Sequence, residues 1–352
     1  MDNNKIAIIT FSDNVDHQNI VYSMYNSIKD KEDVITIGRS NPKSLIAGSS
    51  ENNFYFDGPA RPGIELKTFR LDILFKIARL IKKKDIKYLY FESVHVWNIA
   101  IMLLCRKCTR IQVVHDVIPH DLSKAVIMCT KLLCRLSDHI VIHNNKYMDT
   151  LSEEYKVPKD KITSLDLWRD FPSESRPAHT GRFLYFGRIR KYKGLDTLEK
   201  IIRETPEISY YVVGSPDDES REIAEKIAGY DNVDANLTEV PEKEMRWYFE
   251  NSDWIILPYE SATQSGVIID AYKFSRPVIA FDVGAISEQV RDGKTGFLIE
   301  HGNYRQFIEK IRLASGMDDR LDEFSHAAYE VGFNKYSSDA VSVQFIEMLK
   351  GL

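Results

Sequence analysis

Two stretches in the second half of the chain carry residue types and spacings suited to holding an anion. In "YFGRIRKYKGLDTL" (185–198), Arg188, Arg190, Lys191 and Lys193 stand between a strand ending at Gly187 and a helix starting near Gly194. Cations at a helix start oppose the helix dipole, which favours negative charge there. A bound phosphate removes the conflict, because cations, dipole and free N–H groups then point at one place. A solvated basic turn is the plainer alternative. In "LPYESATQSGVIIDAYKF" (257–274), six small or polar residues, Ser261 to Gly266, separate a buried strand from a helical pattern. Ser265, Gly266 and Val267 at that helix start leave backbone N–H groups without intrahelical partners, and a glycine admits close approach of a ligand. Asp270 follows one turn later, where helix stability alone also favours an acid. Neither stretch is a GxxxxGK[ST] P-loop or a GxGxxG dinucleotide turn.

Further chemistry-bearing residues stand after strands of the first half. His115 follows "IQVV", with Asp116 next to it, and Glu92 and His95 follow "YLYF". A lone histidine at a strand end is as readily structural as functional. No D-x-D stands at a strand end: Asp217 and Asp218 sit beside "VVGSP", and Asp282 is alone. A divalent ion clamping a diphosphate is therefore not indicated, and no metal or cofactor is expected. The CxxC of "CRKC" (105–108) continues an apolar helix and has no second CxxC or HxxxH to complete a metal site, so packed thiols are expected.

Short apolar strands alternating with helical patterns must position these residues, the pattern of parallel α/β architecture. The first half reads as strands "KIAIITF", "DVITIG", "IKYLYF", "IQVVHD" and "HIVIHN", with helices "NIVYSMYNSIKD", "RLDILFKIARLIKKK" and "NIAIMLLCRK" among them. "RDFPSESRPAHTG" (169–181), rich in Pro, Ser and charge, reads as a linker. The alternation then restarts with "RFLYFG", "SYYVVG", "NVDANL", "WIILPY", "RPVIAF" and "TGFLI", and a helical tail from Asn303 closes the chain. Two doubly wound Rossmann-like domains facing across a cleft are expected. Ligands in open α/β sheets bind beyond the carboxyl ends of the strands, where these loops lie.

The 352 residues are 43% hydrophobic and 28% charged, which fits two globular domains. No run approaches the roughly 18 apolar residues of a spanning helix, and "MDNNKIAIITF" shows no signal peptide, so a cytoplasmic protein is expected. Residues 1–176 hold 26 Lys/Arg against 22 Asp/Glu, and the remainder 21 against 30. The mildly basic first half suits an anionic partner surface. Without a cluster of Arg/Lys interleaved with aromatics, nucleic acid is disfavoured as a partner. The helix "KTFRLDILFKIARLIKKK" has Leu71, Leu74, Ile77, Ala78 and Ile81 on one face, and Lys67, Arg70, Lys82, Lys83 and Lys84 around it. It reads either as a core-packed helix with a solvated exterior or as a peripheral contact to the inner face of an anionic membrane.

"FGRIRKYKGLDTL" resembles the G-R-x-x-x-x-K-G element of the retaining nucleotide-sugar glycosyltransferases of family 4 (glycosyl transferases group 1), which have the GT-B fold. The stretch from Asp253 to Ile299 is similar to that family's C-terminal signature, with Pro277 to Ala280, Gly284, Glu288 and Asp292-Gly293-Lys294-Thr295-Gly296 as its closing elements. The resemblance runs from about Arg182 to Ile299 and continues more thinly in "VVHDVIPH", including Pro119 and His120. It implies a donor-binding domain over 180–335, an acceptor-binding domain over 1–172, and a helix over 336–352 crossing back to the first domain.

By the same resemblance, Gly187, Arg188 and Lys193 hold the donor diphosphate with the helix start at Ser265 to Val267. Gln264 and Ser265 meet the sugar, Asp270 binds the ribose, and His115 lies near the transferred sugar, with Asp116 on the acceptor side. Glu92 and His95, from their place after another first-half strand, are expected on the acceptor side as well. The family's first Glu of a pair eight apart is absent, since Ala262 stands there. The implied activity is retaining transfer of a sugar from a nucleotide diphosphate sugar to a glycan or lipid-linked acceptor. No carboxylate pair for double displacement is evident, so attack and departure on the same sugar face are implied. A nucleotide-sugar epimerase or hydrolase, and a non-catalytic sugar-nucleotide scaffold, are the alternatives.

Overall fold

The structure, a computed structural model, describes residues 4–40, 51–59, 65–118 and 124–352. The chain divides into two compact units, Met1–Arg169 with Ser338–Leu352, and Asp170–Ser337. The first runs β1 (Lys5–Thr10), α1 (Val15–Ile28), β2 (Asp33–Arg39), β3 (Asn53–Phe56), α2 (Leu71–Lys83), β4 (Tyr88–Phe91), α3 (Val96–Leu104), β5 (Thr109–Val113), α4 (Lys124–Leu136), β6 (His139–Ile142), α5 (Met148–Tyr155) and β7 (Ile162–Ser164). The second runs β8 (Arg182–Phe186), α6 (Leu195–Glu204), β9 (Ser209–Val213), α7 (Arg221–Ala228), β10 (Val233–Asn236), α8 (Glu242–Glu250) and β11 (Trp254–Leu257). It continues with α9 (Gly266–Lys273), β12 (Val278–Asp282), α10 (Ile286–Gln289), β13 (Gly296–Glu300), α11 (Tyr304–Ser315) and α12 (Asp318–Tyr336). Helix α13 (Ser338–Lys350) belongs to the first unit, where it packs on α1.

All pairings between the described strands are parallel, in the orders β3-β2-β1-β4-β5-β6-β7 and β10-β9-β8-β11-β12-β13. Each is a doubly wound sheet whose strand order reverses once, at β1/β4 and at β8/β11. Central strands buried on both faces are continuous apolar runs: β11 is "WIIL" and β12 begins "VIAF", all buried. Elements β3, α4, α5 and β7 have no counterpart in the sequence reading. Strand β3 is a half-buried edge of four residues. In α4 only Thr130, Leu133 and Cys134 are buried while Met128 is 71% exposed, so its pattern lacks a clean helical stripe.

Helix α2 packs Ile73, Leu74, Ile77 and Ile81 into the core of the first unit. Leu71, placed on that face by the sequence reading, instead points outward at 60% exposure, and Ile73 takes its place. Leu66, Phe69 and Phe75 are also more than half exposed. Cys105, Cys108, Cys129 and Cys134 are free thiols, and the Cys108 thiol donates to the Ile86 carbonyl oxygen at 3.2 Å. No helix among the described residues is long and apolar enough to cross a membrane.

Candidate functional site

In the second unit, β8 and β11 are hydrogen-bonded neighbours at the point where strand order reverses. The loop after β8 carries Gly187 to Gly194, and the loop after β11 leads into α9, so the fold brings the two anion-receptive stretches together. They are stitched by backbone: the N–H groups of Glu260 and Ser261 donate to the Tyr192 carbonyl oxygen at 2.9 and 3.4 Å. Gly194 (φ +75°) ends the turn at Lys191–Lys193 and starts α6, and a Cβ there would stand 1.7 Å from the Pro258 carbonyl oxygen. Only glycine combines that left-handed backbone with so close an approach.

The four cations of the β8 loop divide into two kinds. Arg190 pairs with Asp217 at 3.2 Å and Lys191 with Glu219 at 3.2 Å, both partners lying on the loop after β9. Asp217 also caps the following helix by accepting from the Ser220 N–H, which gives it a structural task. Arg188 is exposed and forms no ion pair or hydrogen bond with another described residue. Lys193 is buried, with its ammonium 5.2 Å from the Tyr259 ring centroid. A Cβ built on Gly187 (φ +106°) would lie 3.2 Å from Lys193 Nζ and 3.4 Å from Val267 Cγ2. The β8 loop, the lysine and the first turn of α9 thus meet at one spot.

The start of α9 is held from below. Ser265 donates its N–H to Gln289 Oε1 at 2.8 Å and accepts from Gln289 Nε2 at 3.0 Å. Tyr272, one turn and a half along α9, lies 2.6 Å from the Thr295 hydroxyl and donates to the Gln289 carbonyl oxygen at 3.1 Å. The Thr295 of the D-G-x-T-G turn is thereby an anchor for this helix. The Ser265 side chain makes no capping bond, so the amides of the first turn remain available. Gln264 and Asp270 are half-buried beside them, and Ala262 is buried.

In the first unit, Glu92, His115 and His143 stand just beyond the ends of β4, β5 and β6, three adjacent strands. Adjacency aligns them, with the His17 ring of α1 stacked on His115 at 4.6 Å between centroids and the His143 ring tilted against His115 at 4.7 Å. His115 Nε2 lies 2.8 Å from the Glu92 carbonyl oxygen and 2.9 Å from Glu92 Oε1. Burial opposes a charged His115, but the facing Glu92 carboxylate outweighs it and raises the imidazole pKa. Burial raises the Glu92 pKa, with His115 and Arg169 partly offsetting it. Burial and the His115 charge push His143 down to about 3.

Glu92 is fully buried, facing His115. His95 is also buried and caps α3, its Nδ1 accepting from the Trp97 N–H at 3.2 Å, and burial lowers its pKa to about 4. Asp116 follows His115 and contributes to its raised pKa. Pro119 and His120 lie outside the described residues. Sequence reasoning did not single out His17, His143, Tyr259 or Gln289. His143 carried the same signal as His115, a histidine directly after a buried strand.

Residues 180–315 match the model of the glycosyl transferases group 1 family. The chain is 22% identical over 290 residues to a D-inositol 3-phosphate glycosyltransferase of Corynebacterium aurimucosum, covering 71% of this chain and 68% of that protein. It is 32% identical over 148 residues to a GDP-mannose:glycolipid 4-beta-D-mannosyltransferase of Xanthomonas campestris, covering 40% of each. Among solved structures it is similar to Anabaena HepE in complex with UDP-glucose, at TM-score 0.78 and 14% identity over 99% of this chain and 100% of that one. It is also similar to sucrose-phosphate synthase of Thermosynechococcus elongatus, at TM-score 0.78 and 14% identity over 99% and 98%. A family match over the second sheet, joined to a fold shared along nearly the whole length, gives one conclusion: the second unit carries a domain of the glycosyl transferases group 1 family over residues 180–315, and the chain is a glycosyltransferase with the GT-B fold.

Proposed function

We propose that this glycosyltransferase moves a sugar, with retention of configuration, from a nucleotide diphosphate sugar to a glycan or lipid-linked acceptor in glycoconjugate or polysaccharide assembly. The convergence of Gly187, Lys193 and Val267 at the β8/β11 reversal carries the reading. A pyrophosphate there meets the buried Lys193 ammonium, the exposed Arg188 fork and the amide-rich start of α9. The HepE structure with UDP-glucose and the GDP-mannose-using relative support a nucleotide-sugar donor. Gln264 and Ser265 meet the sugar, Asp270 the ribose, and His115 lies near the transferred sugar.

In the step itself, the bond from the anomeric carbon to the phosphate oxygen breaks as the acceptor oxygen bonds to that carbon from the same face. The acceptor proton passes to the departing phosphate oxygen. Arg188, Lys193 and the α9 amides stabilise the charge that builds on the leaving nucleotide, the largest usual source of rate enhancement. Glu92 is buried against His115, which fits a supporting part better than a nucleophile's.

The acceptor-binding role belongs to the first unit in this reading, and contact with the inner face of an anionic membrane is part of it. Leu66, Phe69, Leu71 and Phe75 are exposed at 93, 66, 60 and 51% on a segment also carrying Lys67, Arg70 and Lys76. Apolar side chains flanked by cations suit an anionic lipid surface.

The test is a panel of UDP-, GDP-, ADP- and dTDP-sugars, scored first by thermal shift and then by nucleotide release with and without glycan and lipid-linked acceptors. Acceptor-dependent release supports the proposal. Release that ignores acceptor indicates an epimerase or hydrolase, and tight donor binding without release indicates a scaffold.

A further inference from the structure

Glu92 and His143 are buried, and Glu92 Oε2 and His143 Nε2 lack a hydrogen-bond partner among the described residues, while Glu92 Oε1 faces His115 Nε2 at 2.9 Å. Buried polar atoms left unmatched are costly, at about 1–3 kcal/mol each and more when charged. The orphans are not scattered. A carboxylate oxygen of Glu92 and one ring nitrogen from each of His115 and His143 lie within 4.8 Å of one another.

The tautomer of His143 follows from its other nitrogen. Nδ1 lies 2.8 Å from the Leu165 carbonyl oxygen, which can only accept, so Nδ1 carries the proton. Nε2 is therefore a bare lone pair within the cluster. A histidine with one ring nitrogen donating to a carbonyl and the other offering a lone pair is arranged as metal-ligating histidines usually are. The His115 side chain retains 17% exposure, which gives a small ion a way in.

We propose that Glu92, His115 and His143 form a binding site for one divalent cation of the Zn²⁺ class, with water completing the coordination. Two imidazoles and one carboxylate suit Zn²⁺ or Co²⁺; Mg²⁺ and Ca²⁺ prefer sets made of oxygens. Tetrahedral ligand bonds of about 2.0–2.2 Å bring donor atoms to about 3.3–3.6 Å from one another, so a pair at the 4.8 Å limit must close by about 1 Å or more as the buried side chains rotate inward. His115 Nε2 must also turn from the Glu92 carbonyl and release its proton as the ion binds. The Arg169 guanidinium acts on Glu92 and His143 and competes with the ion for the carboxylate, which moderates affinity. Ion binding at this site does not require the proposed transfer reaction. Where that reading holds, a bound ion occupies His115 and inhibits, so it is not a catalytic cofactor.

The test uses the full chain titrated with Co²⁺, followed by its visible ligand-field bands and by equilibrium dialysis, with Zn²⁺ as competitor and Mg²⁺ as control. One Co²⁺ per chain is expected, displaced by Zn²⁺ and not by Mg²⁺. Glu92→Gln and His143→Gln should each weaken binding more than about 10-fold, the least expected when even an outer-shell partner is lost. The surface variants His301→Ala and Cys129→Ser should leave it unchanged. Zn²⁺ should raise the melting temperature of the native chain but not of Glu92→Gln, a variant close enough in shape to keep the fold. No uptake by the native chain, or uptake equal in Glu92→Gln and His143→Gln, overturns the site.

Discussion

Lys193 folds back over its own loop until its ammonium stands 3.2 Å from where a Cβ on Gly187, six residues earlier, would lie, so tight a contact that any side chain there displaces the ammonium by a few tenths of an ångström. The glycine's left-handed backbone and the lysine's reach are thus one device. Gly187→Ala should strain the backbone by about 1–3 kcal/mol and push the ammonium off its position. The measurement is kcat/KM for the donor beside a melting curve: both should fall, and unchanged donor kinetics in a folded variant refute the device.

Arg188→Ala and Lys193→Ala should each lower turnover by about 10²-fold or more, the scale of a lost transition-state donor. Their stabilities should diverge. Arg188 is exposed and has no ion-pair partner among the described residues, so its removal should leave the melting temperature nearly constant, whereas Lys193 is buried against Tyr259 and its loss should lower it. Near-normal rates in both variants would remove the phosphate grip.

Gln289 holds the backbone of Ser265 by two hydrogen bonds while its own carbonyl accepts from Tyr272. Gln289→Ala should leave that buried N–H and C=O unmatched, costing about 1–3 kcal/mol per group, and should raise the donor KM because the α9 amides lose their setting. Gln289→Glu keeps the acceptor and should recover part of the loss. A donor KM unchanged in Gln289→Ala would show that the helix start needs no such support.

Serine at Leu66, Phe69, Leu71 and Phe75 together should lower partition onto vesicles rich in phosphatidylserine by at least about 10-fold, since burying even one such side chain is worth roughly 1.5–3 kcal/mol. Sedimentation with vesicles measures it, and equal binding by native chain and variant removes these residues from any lipid contact.

Burial raises the Cys105 thiol to about 11 and the Cys134 thiol to about 12, and it lifts Cys108 and Cys129 as well. At pH 8, Cys105 then carries about 10²-fold less thiolate than an ordinary cysteine. Iodoacetamide should modify the half-exposed Cys129 first and reach Cys105, Cys108 and Cys134 only in denaturant. Rapid native labelling of Cys105 would contradict that environment.

The two stretches proposed to hold the donor could be read because their chemistry is contiguous. Arg188 and Lys193 share one loop, Ser265 and Gly266 one helix start, and parallel alternation already places both loops at carboxyl ends of strands. Which of the four cations are tied into ion pairs was not legible: Arg190 and Lys191 are taken up by Asp217 and Glu219, partners set by the neighbouring β9 loop. The stack of His17, His115 and His143 was invisible for a related reason. Those rings come from β1, β5 and β6 surroundings, and only the strand order puts them side by side. Helix α4 escaped because its apolar residues do not sort onto one face.

Helix α13 buries Val341, Phe345 and Leu349 in the first unit, with Phe345 edge-on to both Tyr90 and Trp168. A ribosome therefore releases the whole second sheet before the piece that finishes the first one arrives. During synthesis the earlier unit waits with an open apolar seam along α1, guarded only by chaperones or by haste, while the later unit has every strand it needs. Losing the last dozen residues should thus leave the donor half able to fold and the nascent first half prone to aggregate.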